Sequence, residues 1–122
     1  MLSRNTLEFL VGLTTAGVVA GALSLTVGPA YALALGLAAA TPAFVRTSSR
    51  LDRDAYEAAT TSTGQVVDGA LAAGGTALVG LAAGYLAVSN GYGGSVAIAV
   101  AAGAGVFAGQ VAFYARNAEF IE

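Results

Sequence analysis

Two long stretches without a charged residue dominate this sequence of 122 amino acids. They run from Phe9 to Val45 and from Gly69 to Ala115, and they are 37 and 47 residues long. A helix that spans a membrane needs about 20 apolar residues, so each stretch is too long for one span and long enough for two. Neither stretch alternates polar and apolar residues as a transmembrane strand does. The sequence therefore predicts an all-α, polytopic membrane protein.

The composition supports the same prediction. Hydrophobic residues make up 57% of the chain and charged residues only 10%, with a mean hydropathy of +0.75. A soluble domain carries about 25% charged residues, and a chain this short leaves much of its surface exposed. The excess of apolar residues is therefore expected to face lipid.

Turn signals divide each charge-free stretch in two. Gly28 and Pro29 interrupt the first, and the glycine-rich segment 89–95 interrupts the second. Proline suits the first position of a new helix, and Asn-Gly and Gly-Gly pairs mark loops. Pro42 is expected to kink or stop the second helix near its C-terminal end. We predict a single membrane domain, 1–122, of two helical hairpins with four transmembrane helices, over about 6–27, 29–46, 66–89 and 95–116.

All five arginines fall on one side of this four-span arrangement. One precedes the first helix, three follow the second and one ends the fourth. The positive-inside rule then places both termini and the charged linker 47–65 in the cytoplasm or inside a virion. The arginines are Arg4, Arg46, Arg50, Arg53 and Arg116.

The linker itself allows two interpretations. Ser49, followed by Asp52, is spaced to cap a short interfacial helix. The alternative is a solvated loop whose charges keep it out of lipid. The helix would carry two ion pairs at i,i+4 spacing, Arg50 with Asp54 and Arg53 with Glu57.

The residue types that most catalytic and metal sites require are missing. The chain has no histidine, cysteine or tryptophan, which removes the usual metal ligands, thiol nucleophiles and imidazole bases. Five arginines and no lysine stand against seven acidic residues, and a net charge of −2 does not favour nucleic-acid binding. We therefore expect no enzyme, no cofactor, no metal site and no nucleic-acid partner.

Polar residues near the helix ends are the remaining candidates for specific contacts. Asp68 opens the third helix, and Gln110 lies about one and a half turns inside the fourth. Their side chains are expected to approach each other if these helices pair, either as an interhelical hydrogen bond or as a functional site. Asn5 followed by Glu8 resembles a capping box at the start of the first helix.

Small residues recur at three- and four-residue spacing along the helices, for example Thr14, Gly17, Gly21 and Ser24 in the first. Such faces let helix backbones approach closely, and we expect them to serve both packing and contacts with other copies. A leucine at Gly80 is accordingly expected to disrupt association. The predicted packing and assembly residues are Gly17, Gly21, Gly69, Ala73, Thr76, Gly80, Gly84, Gly105 and Gly109.

The pattern of short, glycine- and alanine-rich hydrophobic hairpins resembles the major coat proteins of spindle-shaped archaeal viruses and membrane proteins of other haloarchaeal viruses. Both apolar stretches carry this resemblance, and the acidic, lysine-free composition is similar to that of halophilic archaea. The resemblance implies a structural protein that packs with lipid into a virion shell. Its expected partners are the lipid bilayer, other copies of itself and other membrane or virion proteins.

Two other functions remain open from the sequence. A small channel, transporter or holin-like protein would form by oligomerisation, with Thr14, Ser24, Thr76 and Gln110 around a pore. An accessory subunit of a larger membrane complex would instead be unstable or monomeric alone.

Overall fold

The computed structural model describes residues 2–122, which form five α-helices and one short 3-10 turn. Four long helices correspond to the four predicted ones, and a fifth, short helix lies in the linker. The helices are α1 (Arg4–Leu23), α2 (Pro29–Arg46), α3 (Arg53–Ala59), α4 (Ser62–Ser89) and α5 (Ser95–Arg116), and the 3-10 turn is Ala118–Phe120.

α2 is the central helix of the bundle. It packs against α1 on one side and against both α4 and α5 on the other, while α4 and α5 pair along their length. Its small side chains allow these close approaches, because alanine and glycine keep neighbouring backbones near one another. Its buried residues are Ala30, Ala32, Ala34, Gly36, Ala38, Ala40, Thr41 and Val45.

The bounds of α2 coincide with the predicted range 29–46. The helix continues through Pro42 to Arg46, so of the two effects expected of this proline, a kink or a stop, the stop does not occur. A proline ring removes one backbone hydrogen bond and needs room beside the helix. Gly69 of α4 supplies that room, since a Cβ there would lie 3.2 Å from Pro42 Cβ.

α1 begins and ends earlier than predicted. Its N-cap is Ser3, whose hydroxyl accepts a hydrogen bond from the Thr6 N–H, so the predicted capping box of Asn5 and Glu8 is wrong. The helix ends at Leu23 because the chain tightens into i+3 turns over 24–27 before Pro29. A residue that precedes proline avoids the helical region, which explains why the turn precedes Gly28.

α4 begins at Ser62, four residues before the predicted start, and the Thr61 hydroxyl caps it by accepting from the Gly64 N–H. Asp68 therefore lies in the second turn of α4 and not at its first residue. Because Asp68 pairs with Arg116, the last residue of α5, the segment 62–67 extends beyond the end of α5 by about 9 Å at 1.5 Å per residue.

α1, α4 and α5 are each long and apolar enough to cross a membrane. α2 has 18 residues, contains two prolines and ends in arginine, and it is not among these candidate spans. Large apolar side chains point outward from the other three, including Val18 on α1, Leu78 on α4 and Phe107 on α5, which are 65%, 74% and 70% exposed. Such a surface is consistent with membrane association.

Candidate functional site

Two ion-paired clusters lie at one end of the bundle, where α1 and α4 begin and α2 and α5 end. We call this end, with the linker helix α3 and the C-terminal residues, the charged cap. In its first cluster Glu8 of α1 binds both Arg46 at the end of α2 and Arg53 of α3. Arg53 also donates to the side-chain oxygen of Asn5. These contacts join three helices through one carboxylate.

Glu57 extends this cluster on α3. Its carboxylate accepts from Arg53 Nε at 2.9 Å and from Arg4 at 3.2 Å. The hydrogen bond from Arg53 is the main reason that the pKa of Glu57 is lowered, and Arg4 adds to the effect. Burial lowers the pKa of Arg53, but its bonds to Glu57 and Glu8 outweigh this, so the pKa of Arg53 is raised. The predicted pair of Arg53 with Glu57 is thus present.

The second cluster joins α3 to α4 and α5. Tyr56 is fully buried and donates its hydroxyl to Asp68 Oδ2 at 2.8 Å, while Arg116 Nε donates to Oδ1 at 2.9 Å. The Tyr56 ring packs edge-on against Phe113 and Phe120. Burial, together with the bond to Asp68, raises the pKa of Tyr56 above its ordinary value.

The linker is therefore a helix and not only a solvated loop, although its cap differs from the predicted one. Asp52, not Ser49, is the N-cap, and its carboxylate accepts from the Ala55 N–H. The C-terminal residues close over this segment, because the Glu122 N–H donates to the Arg50 carbonyl and the Asp52 N–H donates to the Phe120 carbonyl.

Asp68 and Gln110 are not brought together as predicted. Both carboxylate oxygens of Asp68 are engaged by Tyr56 and Arg116, and Gln110 lines a groove between α1, α2 and α5. Sequence reasoning missed Tyr56 as the partner because nothing in the spacing relates the linker to the second turn of α4. The only available signal was one aromatic residue on the apolar face of the short linker helix.

Most of the predicted small residues form the contact between α4, α5 and α2. At its centre Gly80 and Gly105 face each other, since a Cβ at Gly105 would lie 3.1 Å from Gly80 Cα and 2.8 Å from the Thr76 carbonyl. The hydroxyls of Thr41 and Thr76 are 2.9 Å apart in this buried contact. The predicted residues that are buried here are Gly69, Thr76, Gly80, Gly84, Gly105 and Gly109, while Ala73 is half-buried.

Gly17 and Gly21 lie elsewhere. Both are exposed, and nothing lies within 4 Å of a Cβ built on either of them. α1 instead meets α2 through Gly12 and Ala16, and a Cβ at Gly36 of α2 would lie 2.6 Å from the Ala16 carbonyl. The exposed small residues Thr14, Gly17, Gly21 and Ser24 form one stripe, which we call the outer face of α1.

The other polar side chains of the described residues make local contacts within or between helices. No group of three or more acidic, histidine or cysteine side chains within residues 2–122 is placed to hold a metal ion. The hydroxyls of Thr14 and Ser24 bond to carbonyls of their own helix, whereas Thr76 is buried at the contact between α2, α4 and α5. The polar residues that would line a pore therefore do not share one surface within a single chain.

A scan of known protein families, a search of curated proteins and a search of solved structures each find no match to this chain.

Proposed function

We propose that this protein is a structural membrane protein that associates with other copies of itself through the outer face of α1. Four helices cross the bilayer in this proposal, with α2 shielded by the other three and both termini on the side of the charged cap. The observation that carries the proposal is the exposure of Gly17 and Gly21, since a small-xxx-small face brings membrane helices together.

The bundle supports this assignment because its own packing does not use that face. α1 packs on α2 through Gly12 and Ala16, and the ion pairs that involve α1 lie in the charged cap. Among the outward residues of α1, this stripe is the part without large side chains between Thr14 and Ser24, so a second helix backbone can approach it closely. Copies with the same orientation in a membrane have parallel α1 helices, and a two-fold axis along the membrane normal would join them.

One such contact closes a dimer, because a two-fold interface uses the same patch on both copies. A sheet or shell needs a second contact on another surface. The side of the bundle away from α1 offers exposed side chains on α4 and α5, among them Tyr85 and Phe107. A lipid-containing lattice would use both surfaces. The virion shell of the archaeal viruses whose coat proteins this sequence resembles is one such lattice.

Cysteine cross-linking tests the contact directly, because the chain has no cysteine of its own. Gly17→Cys and Gly21→Cys in lipid vesicles are expected to form disulfide-linked dimers under mild oxidation. Ala22→Cys is the matched control, since Ala22 is also a small, exposed residue of α1 but lies about 100° around the helix from Gly21. Equal cross-linking of all three variants, or none at α1, would contradict the proposed contact.

Electron microscopy of the protein returned to lipid separates the functional classes. Sheets, tubes or closed shells support a lattice protein. A discrete ring would favour the channel or transporter instead, and an unstable monomer would favour an accessory subunit. Gly17→Leu is expected to abolish extended assemblies while leaving the helical content unchanged.

A further inference from the structure

The groove between α1, α2 and α5 is distinct from the outer face of α1. Its volume is about 450 Å³. Its walls are apolar, and its end at the charged cap is formed by hydroxyl-bearing residues. The apolar walls are Phe9, Leu13, Leu37, Phe44 and Val106, the polar end is 47–49, and Gln110 of α5 adds an amide to the lining.

The depth of the groove fits one leaflet of a bilayer. Leu37 lies nine residues before Arg46, and Val106 lies ten residues before Arg116, so both are about 14–15 Å from the capped end of their helices at 1.5 Å per residue. The hydrocarbon core of a bilayer is about 30 Å thick, and half of it is about 15 Å. The groove therefore extends from the membrane surface to about the midplane.

The two ends of the groove differ in polarity, as the two ends of a phospholipid do. Its inner part is lined by Leu37 and Val106, and Phe9 and Phe44 continue the apolar wall toward the charged cap, which suits an acyl chain. At the capped end the segment 47–49 supplies hydroxyls, of which Ser48 lies 2.7 Å from the Tyr114 hydroxyl, and Gln110 adds an amide along the wall. Hydroxyl and amide groups suit the ester and phosphate oxygens of a lipid.

One arginine beside the polar end of the groove favours an anionic headgroup. Arg4, Arg46, Arg53 and Arg116 each form an ion pair with a carboxylate of the chain. Arg50 directly follows Ser49 in the sequence and is exposed, and none of the ion pairs within residues 2–122 includes it, so the predicted pair of Arg50 with Asp54 is not formed. Arginine binds phosphate oxygens through its planar fork of donors.

We propose that this groove binds one anionic phospholipid, with an acyl chain along α1, α2 and α5 and the phosphate at Ser49 and Arg50. This inference rests on the proposed membrane location but not on self-association. α1 packs on α2 and not on α5, which leaves a space between α1 and α5. The bound lipid would fill that space.

Fluorescence quenching by brominated lipids tests the proposal, since the chain has no tryptophan. Phe9→Trp places the single reporter in the groove, and Phe107→Trp is the matched control on the open surface of α5. Each variant is placed in phosphatidylcholine vesicles that contain a minor fraction of either dibrominated phosphatidylglycerol or dibrominated phosphatidylcholine. The bromines are on the acyl chains, so quenching reports the lipid itself and not free phosphate.

The groove reporter is expected to show about a fivefold preference for phosphatidylglycerol, the factor that corresponds to about 1 kcal/mol for one arginine near an anionic lipid. The control reporter is expected to show no preference. Arg50→Gln is expected to remove the preference of the groove reporter. Arg4→Gln, which removes the same charge at the same end, is expected to retain it.

Three results would overturn the proposal. Equal preference at Phe9→Trp and Phe107→Trp would mean that the groove does not select a lipid. Protection of Phe9→Trp from both brominated lipids would mean that a second copy of the chain fills the groove. A preference that survives Arg50→Gln would remove the assigned headgroup contact. Absence of quenching both at Phe107→Trp and at Val11→Trp, a second outward reporter on α1, would instead contradict the membrane location on which the inference rests.

Discussion

At the scale of single residues, the glycines of α5 perform different tasks although they are close in sequence. Gly105 faces Gly80 and the Thr76 carbonyl at distances that leave no room for a Cβ. Gly103, two residues earlier, is exposed and has nothing within 4 Å of a Cβ. Substitutions at Gly105 and Gly103 can therefore distinguish the effect of close packing from the effect of helix propensity within one helix.

Gly105→Ala is expected to destabilise the bundle by about 1–3 kcal/mol, the usual cost of inserting a methyl group into a packed core. Gly103→Ala is expected to be neutral or stabilising by up to about 1 kcal/mol, because alanine favours a helix over glycine. Thermal unfolding followed by circular dichroism in mild detergent compares the two. Equal melting temperatures would contradict the close contact of α4 and α5.

The same reasoning changes the expected effect of Gly80→Leu. Gly80 is buried against Ala34 and Gly105 inside the chain, so a leucine there is expected to disrupt the fold before it affects contacts between copies. Loss of helical content and of a cooperative melting transition would be the measured result. A well-folded Gly80→Leu protein that fails only to associate would contradict this placement and support the sequence-based expectation.

Tyr56 is the residue on which the second cluster of the charged cap depends. Tyr56→Phe removes the hydroxyl that donates to the buried Asp68 carboxylate, and loss of one hydrogen bond to a charged group costs about 1.5–3 kcal/mol. Chemical unfolding in detergent measures this loss. Tyr92→Phe is the control, because Tyr92 is 61% exposed in the loop between α4 and α5. Equal stabilities of the two variants would show that the bond to Asp68 does not contribute.

At the scale of elements, α3 joins the two hairpins, since Arg53 and Glu57 bind α1 while Tyr56 binds α4. The pKa of Glu57 is lowered in the folded protein, so its contribution to stability is complete above its ordinary pKa of about 4.5. That contribution is lost as the pH falls through the lowered value. Tyr56 has a raised pKa, so its contribution is complete below its ordinary value of about 10 and is lost at higher pH.

Melting temperatures measured between about pH 3 and 6 are expected to fall with decreasing pH in the unmodified protein. Glu57→Gln is expected to show a shallower dependence over the same range, because its side chain no longer binds a proton on unfolding. Asp54→Asn is the matched control, since Asp54 is exposed on the same helix. A slope in Glu57→Gln as steep as in the unmodified protein would assign the acid sensitivity to other carboxylates.

The element bounds show what the sequence could reveal. Pro29 and Arg46 mark both ends of α2, and the charge-free runs predict the number of long helices. The face that each helix uses could not be read in the same way. α1 has two small stripes, one with Gly12 and Ala16 and one with Gly17 and Gly21, and the spacing of each is compatible with close packing. The contacts with α2 decide which stripe lies inside, since Gly36 lies against Ala16 and Gly12 lies against Ala43.

The pairing of Asp68 was beyond the sequence for a related reason. Its partners are 12 and 48 residues away along the chain, and their approach depends on where α4 begins. An additional turn at the start of α4 places Asp68 beside the end of α5 and under the linker helix. Gln110 lies about one and a half turns away from Arg116 along α5, in the groove between α1, α2 and α5.

At the scale of the whole molecule, ionic contacts hold one end of the bundle and small apolar side chains hold the rest. All twelve charged residues belong to the helix ends, the linker and the C-terminal residues of the charged cap. The two turns at the opposite end, around 24–28 and 90–94, carry no charge. This asymmetry predicts one orientation in a membrane.

Single cysteines test that orientation in intact cells. Thr26→Cys and Gly93→Cys are expected to react with a membrane-impermeant maleimide added outside. Ser49→Cys and Thr63→Cys are expected to react only after the membrane is opened. Labelling of the two turns from opposite sides would contradict four spans, and the reverse pattern would contradict the orientation.

The composition of the first ionic cluster has a consequence for the order in which the chain matures. All of its members lie between residues 4 and 57, so a growing chain holds every group of this cluster before α4 and α5 have been synthesised. The ion pairs of this cluster can then hold α1, α2 and α3 together. At that stage the side of α2 that contacts α4 and α5 is still uncovered. Arg116 completes the second cluster only after all of α5 has been synthesised, which makes its ion pair with Asp68 a late step in the closure of the bundle.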